Sequence, residues 1–162
     1  MTVNIINNTM DFKIISHRGK IENSKYQENT LDALKECLDM GFSIEIDVMK
    51  KDEKIYLGHD SPDIEVEISE IDFDGVYIHM KSPHLINLKN ADLFFIENDS
   101  YALTRKNKIW TNYNNKEYNQ DSIMCSAELV GGSFNMDEIS YWAKKAHGVC
   151  TDFPLTVYNN LK

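Results

Sequence analysis

Two carboxylate side chains stand two residues apart in a segment that alternates between apolar and polar residues. In residues 43–49, Glu45 and Asp47 fall on one face of a predicted strand. Side chains two apart in a strand project the same way, about 6.5 Å apart along it, so the two carboxylates repel each other unless a positive charge lies between them. A hard divalent cation such as Mg²⁺ or Ca²⁺ would supply that charge. A half-exposed strand with a solvated acidic face fits the same pattern.

Polar residues that could act with such a cation end the neighbouring predicted strands. They are His17, Arg18, His59, His79 and Lys81. A single histidine at a strand end is more often structural than catalytic. Charged groups inside a small barrel are costly unless they are paired or bind a ligand. Their occurrence at the ends of four successive strands therefore predicts a site where active sites form in barrels of parallel strands.

The elements that would position these residues are eight predicted strands and two predicted helices. The strands are residues 12–16, 43–49, 54–59, 76–81, 93–97, 109–112, 122–128 and 149–153, and the helices are residues 30–40 and 137–147. An ordinary (β/α)8 barrel needs roughly 200 to 250 residues, whereas this chain has 162. We therefore expect an α/β fold, a compact (β/α)8 TIM-type barrel with several outer helices shortened or missing. The polar segment 112–121 is predicted to be a surface loop.

Length and composition limit the class of protein. The chain fits one domain, predicted to span residues 11–162 after a flexible N-terminal segment, residues 1–10. A net charge of −9 repels nucleic acid and anionic lipid headgroups, so we expect no nucleic-acid partner. No apolar run is long enough to cross a bilayer, and residues 1–13 lack the features of a signal peptide. Three cysteines without a CxxC pair fit reduced thiols. These features predict a cytoplasmic protein without membrane insertion, and they leave its oligomeric state open.

Five short motifs resemble the glycerophosphodiester phosphodiesterase family. HRG at 17–19, ENT at 28–30, EID at 45–47 and HD at 59–60 occur in the order of that family's N-terminal signature, and GVCTDFP at 148–154 resembles its closing strand. The resemblance implies a (β/α)8 barrel that hydrolyses glycerophosphodiesters or related small phosphodiesters of lipid metabolism. It also implies one divalent metal ion, Mg²⁺ or Ca²⁺, and two catalytic histidines.

The resemblance gives each matching residue a role. His17 and His59 would be the general acid and base, Glu45 and Asp47 would ligate the metal, and Arg18 and Lys81 would hold phosphate oxygens. Glu28 would either orient Arg18 or interact with the N-terminus of the first helix, which Asn29 can cap. Asp152 is interpreted as structural.

One position departs from the family pattern. Two residues before the lysine the family usually has a glutamate as third metal ligand, and this chain has His79. We predict that His79 lies beside the metal on the same face as Lys81, and that the imidazole shifts metal preference towards Mn²⁺. Alternatively, Glu128 supplies the missing carboxylate, or activity has been lost.

Three functions are compatible with these residues. The first is a metal-dependent phosphodiesterase with His/His general acid–base catalysis and a small phosphodiester as its substrate. The second is a non-catalytic module of the same fold that binds a phosphate ligand. The third is a lyase, in which a hydroxyl of the substrate attacks phosphorus and a cyclic phosphate leaves.

Overall fold

The computed structural model describes residues 12–112 and 117–162. The predicted flexible segment 1–10 lies outside the described residues, as do residues 113–116 of the predicted loop. Ten strands are found in the described residues: β1 (Lys13–His17), β2 (Ser43–Lys51), β3 (Lys54–Leu57), β4 (Ile64–Val66), β5 (Val76–Met80), β6 (Asp92–Phe94), β7 (Tyr101–Leu103), β8 (Ile109–Thr111), β9 (Ser122–Cys125) and β10 (Gly148–Thr151). The helices are α1 (Leu31–Asp39), α2 (Met136–Trp142) and α3 (Pro154–Leu161), with 3₁₀ turns at Ile68–Glu70 and Ala127–Val130.

Side-chain caps account for where α1 and α2 begin. Thr30, rather than Asn29, caps α1 by accepting a hydrogen bond from the Ala33 N–H. Asn135 caps α2 in the same way. The beginning of α3 is stabilised from far away in the chain, because the Glu22 carboxylate accepts hydrogen bonds from two backbone N–H groups of its first turn.

The ten strands form one mixed sheet that curves into a half-barrel. Seven strands are parallel, in the order β6-β5-β2-β1-β10-β9-β8. The β3–β4 hairpin pairs with the C-terminal half of β2, and β7 pairs with β8, both antiparallel. The carboxyl ends of the parallel strands therefore meet along one edge of the half-barrel.

The predicted (β/α)8 TIM-type barrel is wrong. Each parallel strand of such a barrel is followed by a helix, but only three α-helices occur in the described residues. The connection after β2 returns as the antiparallel β3–β4 hairpin, and the connection after β6 returns as the antiparallel strand β7. No ladder joins β6 to β7 or β8 in the described part of the chain, so the sheet is not closed by strand pairing.

Alternating residues of the strands pack on the two sides of this sheet. On the outer side, Ile44, Ile46 and Ile78 are fully buried in the cluster that also contains residues of α1. A second outer cluster lies around α2 and α3. The inner side is filled mainly by bulky residues of several strands, namely Ile15, Tyr77, Phe94, Trp110, Ile123 and Cys150. The inner packing continues up to the polar residues at the carboxyl ends of the strands, where Phe94 stacks on the His79 ring.

Among the described residues, no helix combines the length and the apolar character needed to cross a bilayer.

Candidate metal centre

Strand register brings together the two carboxylates and the histidine of the predicted metal site. Asp47 on β2 is paired directly with His79 on β5, and Glu45 lies two residues earlier on the same face of β2. One ligand atom from each of the three residues lies within 4.8 Å of the others. Glu45 and Asp47 are only 2% and 1% exposed. Two buried carboxylates this close need compensating positive charge.

The His79 ring is held by contacts of both of its nitrogens and by stacking on one face. Its Nε2 donates to the Ile96 carbonyl at 3.0 Å, and the ring stacks on Phe94 with centroids 4.9 Å apart and planes 11° apart. Its Nδ1 lies 3.2 Å from Asp47 Oδ1 and 3.7 Å from Glu45 Oε1. Because a neutral imidazole carries a single proton, the hydrogen bond from Nε2 leaves the Nδ1 lone pair facing the carboxylates.

Each carboxylate has one oxygen near His79 Nδ1, and its other oxygen already accepts a hydrogen bond. Glu45 Oε2 accepts a hydrogen bond from the Arg18 N–H at 3.2 Å. Asp47 Oδ2 accepts one from Asn29 Nδ2 at 3.0 Å and lies 2.8 Å from Arg18 Nε. The Arg18 Nε–H does not point along a hydrogen bond, so this last contact is ionic. Glu45 Oε1, Asp47 Oδ1 and His79 Nδ1 are thus the three atoms that could hold a cation.

The two carboxyl groups respond oppositely to this environment. Burial raises the pKa of Glu45 above its ordinary value, and the nearby charge of Asp47 raises it further. Burial also acts to raise the pKa of Asp47. A hydrogen bond from His79, which forms when its Nδ1 also carries a proton, a hydrogen bond from Asn29 and the charge of Arg18 outweigh it, so the pKa of Asp47 lies below its ordinary value. A cation at this point would compete with the proton that Glu45 holds.

Asn29 is a residue of this site that the sequence interpretation missed. It is predicted to cap a helix, but both ends of its side-chain amide bind Asp47, since Oδ1 also accepts the Asp47 N–H at 3.0 Å. Asn29 has a positive φ of 53°, a conformation that asparagine tolerates better than most residues. Its place in the ENT motif, and not its helix-capping tendency, was the useful signal.

Arg18 contacts both the buried carboxylates and the exposed side chain of Glu28. Its Nη1 donates to Glu28 Oε1 at 3.1 Å, and its backbone has a positive φ of 54°. Of the two predicted roles of Glu28, the structure therefore shows the contact with Arg18. The guanidinium is partly exposed and close enough to the carboxylates to bind an anion that approaches the metal.

His17 lies beside the metal centre and is held by a residue that sequence analysis interpreted as structural. His17 is paired in register with Glu45, and its Nδ1 donates to Asp152 Oδ1 at 2.9 Å. Asp152 Oδ2 accepts a hydrogen bond from Lys20 Nζ at 2.7 Å. Burial acts to lower the pKa of His17, but the Asp152 hydrogen bond and the Glu45 charge outweigh it and raise the pKa above 6.5. Nε2 of His17 remains as the nitrogen that can exchange a proton.

The other predicted catalytic histidine lies at the rim of the same edge. Backbone hydrogen bonds from Gly58 to Asp47 and from Lys81 to Val48 attach the two segments to the end of β2. His59 Nδ1 lies 2.7 Å from Asp60 Oδ1, and its Nε2 accepts a hydrogen bond from Lys81 Nζ at 3.2 Å. A cavity of about 400 Å³ adjoins Lys81 and is lined by Phe95, Glu97 and Asp99 among others.

Glu128 is engaged elsewhere. Its carboxylate accepts hydrogen bonds from Ser126 Oγ, from Thr151 Oγ1 and from the Asp152 N–H. It is not a member of the cluster that could hold a metal among the described residues. The geometry therefore favours His79 over Glu128 as the third ligand.

The arrangement as a whole is a cluster of three donor atoms that could hold a cation, with one histidine beside it, a second at the rim, and Arg18 and Lys81 nearby. A scan against protein-family models, a search of the curated proteins and a search of the solved structures each found no match to this chain.

Proposed function

We propose that this protein is a metal-dependent phosphodiesterase of the glycerophosphodiester phosphodiesterase type. The observation that carries the proposal is the cluster of Glu45, Asp47 and His79 with His17 beside it. A small phosphodiester such as a glycerophosphodiester is the substrate class, and the cavity next to Lys81 offers room for one of its alcohol groups. A cytosolic location belongs to the same proposal and is supported by three buried free cysteines.

The anionic charge of a phosphodiester is the main barrier that the site must overcome. A cation held by the three donors would polarise a phosphoryl oxygen. Arg18 and Lys81 bind the other non-bridging oxygen and stabilise the charge that builds up in the transition state. Lys81 leaves His59 Nε2 when it turns to the phosphate, and this frees the nitrogen to act as a base.

The two histidines divide the proton transfers. The attacking hydroxyl gives its proton to His59 Nε2 as its oxygen bonds to phosphorus. The bond from phosphorus to the leaving oxygen breaks, and that oxygen takes the proton from His17 Nε2. Asp152 suits His17 to the role of acid because its hydrogen bond stabilises the imidazolium. Water as attacking group gives hydrolysis, and a hydroxyl of the substrate gives a cyclic phosphate.

The test is a ³¹P NMR screen of glycerophosphodiesters with the purified chain in Mg²⁺, Ca²⁺ or Mn²⁺. We expect metal-dependent loss of the diester signal, and a fall of about 10²-fold or more for His17→Gln and for His59→Gln. A monoester product identifies a hydrolase, and a cyclic phosphate identifies a lyase. Metal-dependent binding of the diester without product would show a binding module and contradict the proposed enzyme.

A further inference from the structure

We propose that this metal centre selects first-row transition dications such as Mn²⁺ over Mg²⁺ and Ca²⁺, and that Phe94 and Ile96 are the positioning residues that set this preference through His79. The inference rests on the proposed metal site and concerns which ion the site takes. His79 is the residue that determines the selectivity.

The cluster of Glu45, Asp47 and His79 offers few oxygen donors to a cation. Ca²⁺ takes six to eight oxygen ligands, often from bidentate carboxylates. Here Glu45 Oε2 is occupied by the Arg18 N–H, and Asp47 Oδ2 is occupied by Asn29. Each carboxylate can therefore give one oxygen, Glu45 Oε1 and Asp47 Oδ1. No hydrogen bond to Glu45 Oε1 is found among the described residues, although the side chain is 3% exposed.

The negative charge of the cluster is small for a site that binds Mg²⁺ or Ca²⁺. Two carboxylates carry two negative charges, but Arg18 Nε lies 2.8 Å from Asp47 Oδ2 and offsets part of them. A third carboxylate in place of His79 would restore the charge on which Mg²⁺ and Ca²⁺ depend. An imidazole adds no charge and favours transition metals instead.

Phe94 at the end of β6 and Ile96 just after it favour the neutral His79 tautomer whose Nδ1 can bind a metal. The Ile96 carbonyl holds the proton on Nε2, and the Phe94 ring fixes the imidazole plane. Phe94 ends β6 and Ile96 follows it, and β6 pairs with β5 on the opposite side from β2, the strand of Glu45 and Asp47. Hydrogen bonds of this kind to a ligating histidine fix its tautomer and are typically worth 10- to 100-fold in metal affinity.

The experiment measures metal affinities by calorimetry for the chain stripped of metal, with Mn²⁺ and Mg²⁺ as the probes. Transition metals bind most protein sites more tightly than Mg²⁺, so the informative quantity is the ratio of the Mg²⁺ to the Mn²⁺ dissociation constant. We expect His79→Glu to lower this ratio by about 10-fold or more, because it replaces the imidazole with a third carboxylate. An unchanged ratio in folded His79→Glu would overturn the inference and leave the proposed phosphodiesterase standing.

Phe94→Leu tests the positioning role in two backgrounds. In the parent it should weaken Mn²⁺ binding several-fold and broaden the Mn²⁺ electron paramagnetic resonance signal. In His79→Glu, where no ring needs to be held, the same change should leave Mn²⁺ affinity unaltered. An equal loss of affinity in both backgrounds would mean that Phe94 supports only the fold and would overturn its positioning role.

The double variant Glu45→Gln/Asp47→Asn is the control for adventitious metal binding. Parent-like Mn²⁺ affinity in that variant would place the ion elsewhere and would overturn the selectivity inference together with the metal part of the proposed function. Turnover is measured separately on the parent, so a failure of catalysis and a failure of selectivity give different results.

Discussion

At the scale of single residues, hydrogen bonds made on the far side of each histidine ring fix which nitrogen faces the candidate metal cluster. Asp152 fixes the Nδ1 proton of His17, and Ile96 fixes the Nε2 proton of His79. Each histidine therefore presents one defined nitrogen to the site. Hydrogen bonds made away from the reacting atoms thus determine which nitrogen can exchange a proton or bind a cation.

Asp152→Asn should lower the pKa of His17 and reduce turnover. Burial lowers the pKa of His17, and the hydrogen bond to the Asp152 carboxylate helps to raise it. A neutral amide at position 152 stabilises the imidazolium less, so the pKa falls. The proton is then lost at lower pH. NMR titration of the imidazole measures the shift, and we expect turnover at neutral pH to fall by roughly 10-fold to 10²-fold. Lys20→Gln is the matched control and should have a smaller effect, and a His17 pKa that does not fall would contradict the role of Asp152.

Metal binding should stabilise the protein more strongly as pH rises. The pKa of Glu45 is raised from 4.5 to about 7, so without metal the folded state gains stability from its bound proton below pH 4.5 and loses that gain as pH rises towards 7. A cation displaces this proton, and its stabilisation grows across the same range. Thermal unfolding with and without Mn²⁺ should show a larger increase in Tm at pH 7.5 than at pH 5.5. Glu45→Gln should show a smaller increase with a weaker dependence on pH, because the His79 imidazole must still be unprotonated to bind the cation. A pH-independent increase in the parent would refute the linkage.

At the scale of secondary-structure elements, the loop between β1 and α1 has two adjacent residues with separate tasks. Thr30 caps α1, while Asn29 reaches back to bind the backbone and the carboxylate of Asp47 on β2. The cap acts on helix stability, and the amide acts on the metal centre. Single substitutions at the two positions should therefore separate these two effects.

Asn29→Gly should weaken metal binding, whereas Thr30→Ala should weaken only the fold. Glycine accepts the positive φ of Asn29, so the substitution removes the amide without straining the backbone. We expect about a 10-fold loss of Mn²⁺ affinity. Thr30→Ala should cost about 1 kcal/mol of unfolding free energy and leave Mn²⁺ affinity within about twofold of the parent, since the bonds it loses, from the Ala33 N–H and to the Gln27 carbonyl, do not involve the three donor residues. Calorimetry measures the Mn²⁺ affinity, and denaturant unfolding measures the free energy of unfolding. Equal metal affinities in both variants would contradict the role of the Asn29–Asp47 hydrogen bonds in metal binding.

At the scale of the whole molecule, the half-barrel depends on parallel pairing between distant parts of the chain. β1 lies between β2 and β10, so the first described strand is held by the last one. Ile78 lies in the middle of β5 and is fully buried on the outer side of the sheet. A loss of packing there is expected to affect the whole sheet.

Ile78→Ala should lower the free energy of unfolding by about 2–5 kcal/mol, because it removes buried methyl groups and leaves a cavity. Leu85→Ala is the matched control, since Leu85 is 78% exposed, and should change it by less than about 0.5 kcal/mol. Urea unfolding followed by tryptophan fluorescence and by circular dichroism should give one coincident transition for the parent. Two separate transitions would show that the half-barrel does not unfold as a unit.

The sequence by itself determined eight of the ten strands, the helices α1 and α2, and the face that carries the polar cluster. Alternation in residues 43–49 and 76–81 correctly placed Glu45, Asp47 and His79 on one side and the apolar residues on the other. This works because the side-chain period of a strand is a local property of the backbone. Helix caps are local too, which is why the predicted helices overlap α1 and α2, although the predicted cap was one residue early.

Only the tertiary structure decided how the strands connect and which distant groups meet. The barrel was predicted from the number of strands, but whether the chain returns as a helix or as an antiparallel strand depends on long-range pairing, and β4 and β7 are too short to carry a clear pattern. Asp152 and His17 are 135 residues apart in the chain and meet only because β10 pairs with β1. Side-chain alternation has no information about such contacts, since it is set within each strand, whereas the register and order of strands are set by the packing of the whole sheet.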